Sequence, residues 1–399
     1  MLYKKQETIL KQIKPKSLIP LGTGTGKTLI ALEYYFRNEY PTPLYILAPA
    51  AKVYECGWDR EIEKIAQYHN VKVPNYKVIS YTKILKNASY IKNSFFILDE
   101  AHYIKNSTSQ RGKGSIVILK NFAKNFIMLT ATPASKIEEY VSYFILWGMV
   151  KNKTDFYKRF IVMEPTKIYG KNFMEIASYK NLPIFWETVK QNTTQRLTVN
   201  DIVELPKLII KDIYLEKSKE YNRIKKERID YDFQGNSIYL DTQIKLCSYL
   251  RQNVSSKKKI ELLRNIVEEI KESGENLLIF YNFNCEYIDI VNAIKPDYLI
   301  NGILKNFPKK EEFENLKSKI TLVQIQAGGT GIELQYNSQV LYYSPTYSYQ
   351  DYEQSLGRAY RPGQKHKVLI RRFNTIDSIE QDVWNAISKK EDFNERMWK

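Results

Sequence analysis

Short apolar runs, each followed by a stretch with helical spacing, recur at both ends of this 399-residue chain. In the first third they cover residues 17–21, 44–48, 77–80, 95–98 and 126–129. In the last third they cover 277–281, 298–301, 320–325, 340–343 and 368–371. A strand that is apolar at nearly every position is buried on both faces, as when helices cover both sides of a parallel sheet. The expected fold class is therefore α/β, with two parallel-sheet lobes, and the length suits two domains. The lobes are expected over 1–205 and 206–399. Helical insertions are expected from about residue 135 and over 215–255, in an aromatic, lysine-rich middle punctuated by Pro165, Pro183 and Pro206. Ile260, Leu263, Val267 and Ile270 predict an amphipathic helix over 257–271 that Gly274 stops.

Charge narrows the partner. The chain has 61 basic and 44 acidic residues, a net of +17, which favours a polyanion, nucleic acid first. A lysine-rich composition serving solubility is the bland alternative. The apolar stretch 141–150 is far short of the roughly 20 residues that span a bilayer, and the first residues, MLYKKQETIL, carry no secretory signal pattern. The expectation is a cytoplasmic protein with no membrane partner. Cys56, Cys247 and Cys285 show no CxxC spacing, so they are expected to be reduced core thiols rather than zinc ligands or disulfides.

Five segments carry chemistry. Gly22-Thr23-Gly24-Thr25-Gly26-Lys27-Thr28 stands between the first strand and a helix over 29–37. Glycines let the backbone curl, so that its amides and the helix N-terminus face phosphate oxygens. Lys27 would neutralise the β/γ-phosphates and Thr28 would offer its hydroxyl to magnesium. Leu21 stands where the general GxxxxGK[ST] pattern has glycine. The second segment is Asp99-Glu100-Ala101-His102, which ends an apolar strand with two carboxylates: Asp99 for magnesium, Glu100 for the attacking water. His102, with Thr130 and Thr132 of Leu129-Thr-Ala-Thr-Pro133, is expected to couple the nucleotide site to motion. The glycine-rich loop at 327–331 follows a strand of the second lobe, and Gly331 is read as a nucleotide contact. Gln354, Arg358 and Arg361 lie in Gln354-Ser-Leu-Gly-Arg-Ala-Tyr-Arg-Pro-Gly-Gln364. The arginines, three apart and on one face if helical, would reach the γ-phosphate as arginine fingers, with Gln354 near the nucleotide.

In this order the segments resemble those of superfamily-two helicases and translocases over nearly the whole chain. More narrowly they resemble the Swi/Snf remodeller-type branch. Ala48-Pro49-Ala50 with Trp58 and Glu61, Ile79-Ser-Tyr-Thr82, the extended box Asp99–Asn106 and above all Arg361-Pro-Gly-Gln364 are similar to segments of that branch. The resemblance implies two RecA-like lobes, ATP with magnesium, and DNA as the partner, duplex favoured over single-stranded or forked. By motif position it implies that Gln6 reads adenine, and that Pro49, Lys52, Thr82, Asn282, Gly329 and Thr330 touch nucleic acid. Glu333 stands where the branch usually has asparagine. The implied activity is that of a monomeric ATP-driven DNA translocase. The alternatives are a strand-separating DNA or RNA helicase and an ATP-switched nucleic-acid-binding scaffold.

Overall fold

The computed structural model describes residues 2–22, 24–54, 56–90, 92–134, 136–168, 171–232, 234–326 and 332–393. The chain divides into two compact units, Met1–Glu204 and Leu205–Lys399.

In the first unit, α1 (Lys4–Gln12) precedes β1 (Leu18–Pro20), α2 (Lys27–Asn38), β2 (Leu44–Ala48), α3 (Ala50–Tyr54) and α4 (Gly57–Tyr68). Then come β3 (Tyr76–Ser80), β4 (Ser94–Asp99), α5 (Gln110–Asn121) and β5 (Ala123–Thr130). The five strands form a parallel sheet in the order β1-β5-β4-β2-β3. Why the strands are apolar throughout is visible in their packing. Phe95 and Ile97 of β4, with Leu44 and Ile46 of β2, enter the core under α2 and α4. Phe96 and Leu98, with Tyr45 and Leu47, enter the core on the other face. Each large side chain buried this way contributes on the order of 1.5–3 kcal/mol. Register then aligns the strand ends: Asp99 pairs with Leu129, and Pro20 with Thr130. The phosphate loop, the carboxylate pair and the threonine pair therefore leave the sheet at one edge, where α/β sheets hold ligands.

The insertion after residue 135 is not wholly helical. It holds α6 (Val141–Leu146), α7 (Lys153–Phe160) and α8 (Leu182–Asn192), but also the antiparallel hairpin β6 (Ile161–Ile168) and β7 (Lys171–Tyr179). Pro165 is compatible with a two-stranded ribbon because no further strand needs its missing N–H. Phe144, Phe156, Phe160 and Phe185 close the unit's second core face, with the Phe144 and Phe185 rings stacked at 4.9 Å.

The second unit opens with β8 (Leu208–Leu215), a strand the sequence reading did not include. It continues through α9 (Lys219–Glu227), the small hairpin β9 (Ile229–Tyr231) and β10 (Ser237–Tyr239), α10 (Gln243–Gln252) and α11 (Ser256–Ser273). There follow β11 (Leu277–Tyr281), α12 (Asn284–Ile294), β12 (Tyr298–Ile300), β13 (Lys305–Asn306), β14 (Ile320–Gln324) and β15 (Gln339–Tyr342). The last elements among the described residues are α13 (Tyr349–Ala359), β16 (Val368–Thr375) and α14 (Ile379–Ser388). The sheet order is β13-β12-β14-β11-β15-β16-β8, parallel except for β13. Gly274 caps α11 at φ 74°, a left-handed stop that glycine adopts without strain. The chain thus consists of two α/β units, each built on a parallel or mostly parallel sheet, with insertions. Of the three cysteines only Cys247 is a core thiol; Cys56 and Cys285 are exposed, each at a helix start rather than on a buried face. Among the described residues no helix is long and apolar enough to cross a membrane.

Candidate nucleotide site

The loop between β1 and α2 is built from both sides. Leu21 is not part of the curl. It is fully buried, donates its backbone N–H to Thr130 O at 2.9 Å and forms a bridge with Leu197, so it extends the sheet by one residue. The cradle therefore begins at Gly22, whose N–H is held by Leu197 O, and Thr25 Oγ1 donates back to Gly22 O at 2.7 Å. Gly24 and Gly26 have φ of 76° and 77°. At Gly26 a Cβ would also lie 2.6 Å from Gln6 Nε2, so glycine is required there twice over. Thr23 lies outside the described residues. α2 starts at Lys27, presenting its free N–H groups to the curl.

Gln6, the residue that the resemblance sets at the adenine, lies against the phosphate loop. It is buried, its Nε2 donates to Thr25 O at 2.8 Å, and its Oε1 accepts from Tyr3 N at 2.8 Å. Its amide braces the phosphate loop from behind.

The carboxylates converge on two cations. Lys27 Nζ lies 3.4 Å from Glu100 Oε1, while Lys52 Nζ lies 2.7 Å from Asp99 Oδ2 and 3.5 Å from Glu100 Oε1. Trp58 Nε1 donates to Asp99 Oδ2 at 3.1 Å, and Tyr81 OH donates to the Asp99 carbonyl at 2.9 Å. Glu100 sits at φ 54°, a left-handed conformation uncommon for a side chain of this size. That turn aims its carboxylate back over the strand end. Burial alone would raise the Glu100 pKa, but Lys27, Lys52 and His102 outweigh it and lower the value to about 2. Burial also opposes the charge on Lys52, yet Asp99 and Glu100 lift its pKa above the ordinary lysine value.

His102 Nδ1 lies 3.2 Å from Thr130 Oγ1 and 3.4 Å from Glu100 Oε2. Burial, working against the attraction of Glu100, lowers its pKa to about 4, so the ring is neutral at pH 7. Thr130 Oγ1 accepts from Thr132 N at 3.2 Å. A polar chain thus runs from Glu100 through His102 and Thr130 to Thr132. Glu100 Oε2 and Thr132 Oγ1 are buried with no hydrogen-bond partner among the described residues.

Of the residues assigned to nucleic acid, Thr82 is exposed and Pro49 is buried. Lys52 stands in the carboxylate site rather than on an open surface. Asn282 has its amide committed to Ser344 O, Ser344 Oγ and Pro345 O within 3.1 Å, which ties the end of β11 to the turn after β15. Gly329, Thr330 and Gly331 lie outside the described residues. The second unit separates its arginines: Arg358 is buried on α13, whereas Arg361 lies past the helix end at Ala359, so a shared helical face does not form. Arg361 Nη2 instead pairs with Glu333 Oε1 at 3.2 Å, and Glu333 also binds Lys310 at 3.1 Å. Gln354 is half-buried on α13. Lys52, Trp58 and Tyr81 were missed as parts of the carboxylate site. The available signal was strand adjacency: in an α/β sheet the segment after β2 emerges next to the end of β4.

Residues 258–363 match the helicase conserved C-terminal domain family. An uncharacterized ATP-dependent helicase of Mycoplasma pneumoniae is 24% identical over 421 residues, 92% of this chain and 39% of that protein. The putative ATP-dependent helicase/translocase YwqA of Bacillus subtilis is 22% identical, covering 94% of this chain and 45% of its own length. Protein CHROMATIN REMODELING 5 of Arabidopsis thaliana is 24% identical over 92% of this chain and 25% of its own length. The chain thus spans less than half the length of these relatives. Residues 258–363 thus carry a helicase conserved C-terminal domain, and the chain is similar through both units to ATP-dependent helicases and to a chromatin-remodelling protein.

Proposed function

We propose that the chain is a nucleic-acid-stimulated ATPase that hydrolyses ATP to translocate along duplex DNA. The observation that carries this reading is the meeting of Lys27 with Glu100 at 3.4 Å, beside Asp99, at the sheet edge where the glycine loop opens. On this reading ATP phosphates enter the cradle of loop amides and the α2 N-terminus, and Lys27 leaves Glu100 for the β/γ-oxygens. Losing one of the cations that depress it, Glu100 becomes more basic. Its Oε2, 3.4 Å from His102 Nδ1 and without a hydrogen bond among the described residues, is the oxygen that would take the attacking water. Neutral His102 and Thr130 keep that carboxylate oriented and connect it to the turn at Thr132. Asp99 and Thr28 supply a carboxylate and a hydroxyl, hard oxygen donors that fit magnesium in a site otherwise completed by phosphates and water. When bound there, magnesium would neutralise charge on the β- and γ-oxygens. Arg358 and Arg361 have the arginine-finger role in this proposal.

The net charge of +17 supports a phosphate-backbone partner bound without regard to sequence. The test is the ATPase rate with no nucleic acid and with duplex, single-stranded, forked and RNA ligands in rising salt. Stimulation led by duplex DNA and weakened steeply by salt is expected. A rate unchanged by every ligand would sink the motor reading, and fork unwinding rather than triplex displacement would favour strand separation.

A further inference from the structure

Asp99, the carboxylate assigned to the metal, is already engaged. Its Oδ2 accepts from Lys52 Nζ at 2.7 Å and from Trp58 Nε1 at 3.1 Å, and Lys52 also reaches Glu100. Lys52 comes from α3, the short helix that leaves β2, and β2 is the sheet neighbour of β4, which carries Asp99. A partly buried ammonium and a divalent cation on one carboxylate compete for the same negative charge and repel each other at contact distance.

We propose that Lys52 is a built-in counter-ion for the metal-binding carboxylate, which magnesium must displace from Asp99 when the nucleotide site fills. The proposal rests on the nucleotide-site reading above and adds a residue that positions the site rather than reacting in it. Two consequences follow from charge alone. Without metal, Lys52 cancels the Asp99 charge that would otherwise repel incoming phosphates. With metal, the Lys52–Asp99 pair must be broken, so magnesium binding is weaker than bare Asp99 would permit. Both effects make nucleotide affinity less dependent on magnesium than it would be without Lys52. They also make metal arrival the event that releases a cation from α3, a differential interaction of the kind that shifts a conformational equilibrium.

The experiment measures the dissociation constant of a fluorescent non-hydrolysable ATP analogue in excess EDTA and in excess magnesium. It uses the full chain and the Lys52→Met, Lys52→Gln and Lys52→Arg variants, with thermal melting to establish that each is folded. The quantity read is the ratio of the EDTA value to the magnesium value. Removing the charge should raise that ratio about tenfold, a coupling of ordinary size for linked sites, and Lys52→Arg should stay within about threefold of the parent. A lysine that binds nucleotide phosphate in both conditions would weaken both constants together, and a lysine used only by nucleic acid would change neither. An unchanged ratio in the folded neutral variants therefore overturns the counter-ion proposal. If the parent chain binds the analogue in neither condition, it is the nucleotide-site reading that fails.

Discussion

Gly26→Ala tests the construction of the phosphate loop most directly, because two separate penalties can be worked out for it. The first is backbone: at φ 77° a residue with a Cβ costs roughly 1–2 kcal/mol. The second is steric. The new Cβ falls 2.6 Å from Gln6 Nε2, and Gln6 cannot swing away freely because it is buried and bonded at both ends of its amide, to Thr25 O and Tyr3 N. Displacing it gives up those bonds and leaves buried polar groups unmet, roughly 1–3 kcal/mol more. Gly26→Ala should therefore cost about 2–5 kcal/mol. In a Gln6→Ala background the steric part disappears and only the backbone part remains. Urea unfolding of parent, both single variants and the double variant gives the cycle, and the Gln6–Gly26 coupling should be about 1–3 kcal/mol. Costs that add to within about 0.5 kcal/mol would refute the brace, and a single-variant cost below that figure would refute the loop geometry itself.

Three other perturbations have clear expected outcomes. Lys27→Ala and Glu100→Gln should both abolish ATP turnover while Glu100→Gln still binds the nucleotide analogue; a fully active Glu100→Gln would remove Glu100 from its role. His102 has a folded pKa of about 4 against an ordinary 6.5. Its contribution to stability is thus complete above pH 6.5 and lost as pH falls towards 4, about 3 kcal/mol in all. His102→Asn should flatten the fall in urea midpoint across that window relative to the parent, and parallel profiles would contradict the buried neutral ring. Phe185→Ala opens a cavity among Phe144, Phe156 and Phe160, and should lower unfolding free energy by about 3–5 kcal/mol, with Phe185→Leu costing less than half of that; a loss below about 1 kcal/mol would mean that this face of the unit is not a packed core.

The readable parts of the fold were those where local chemistry dictates local structure. Continuous apolar runs marked the strands of both sheets because each such strand packs a core on both faces, as Phe95 and Phe96 do on successive residues. β8 escaped because its residues are only partly buried at the sheet edge, so Lys211 and Asp212 interrupt the apolar pattern. The β6–β7 hairpin escaped for a related reason: as a two-stranded ribbon it presents mixed polar and aromatic residues, which in a lysine-rich stretch look like solvated helix.

On its own, the sequence determined the parts of the site that are contiguous. A glycine loop ahead of a helix, two carboxylates ending an apolar strand and a Thr-Ala-Thr turn each carry their chemistry within a few residues, since backbone curl and side-chain type are local properties. The tertiary structure decided everything that depends on which strand lies beside which. It set Gln6 against Gly26, bonded to Thr25 O, and it made Leu21, a missing glycine in the general pattern, an extension of the sheet. It brought Lys52 and Trp58 onto Asp99 through the β4–β2 pairing, and set Arg361 against Glu333 beyond the end of α13. Such pairs join residues tens to hundreds of positions apart, and an ion pair between them exists only once strand order and register have put both charges at one edge.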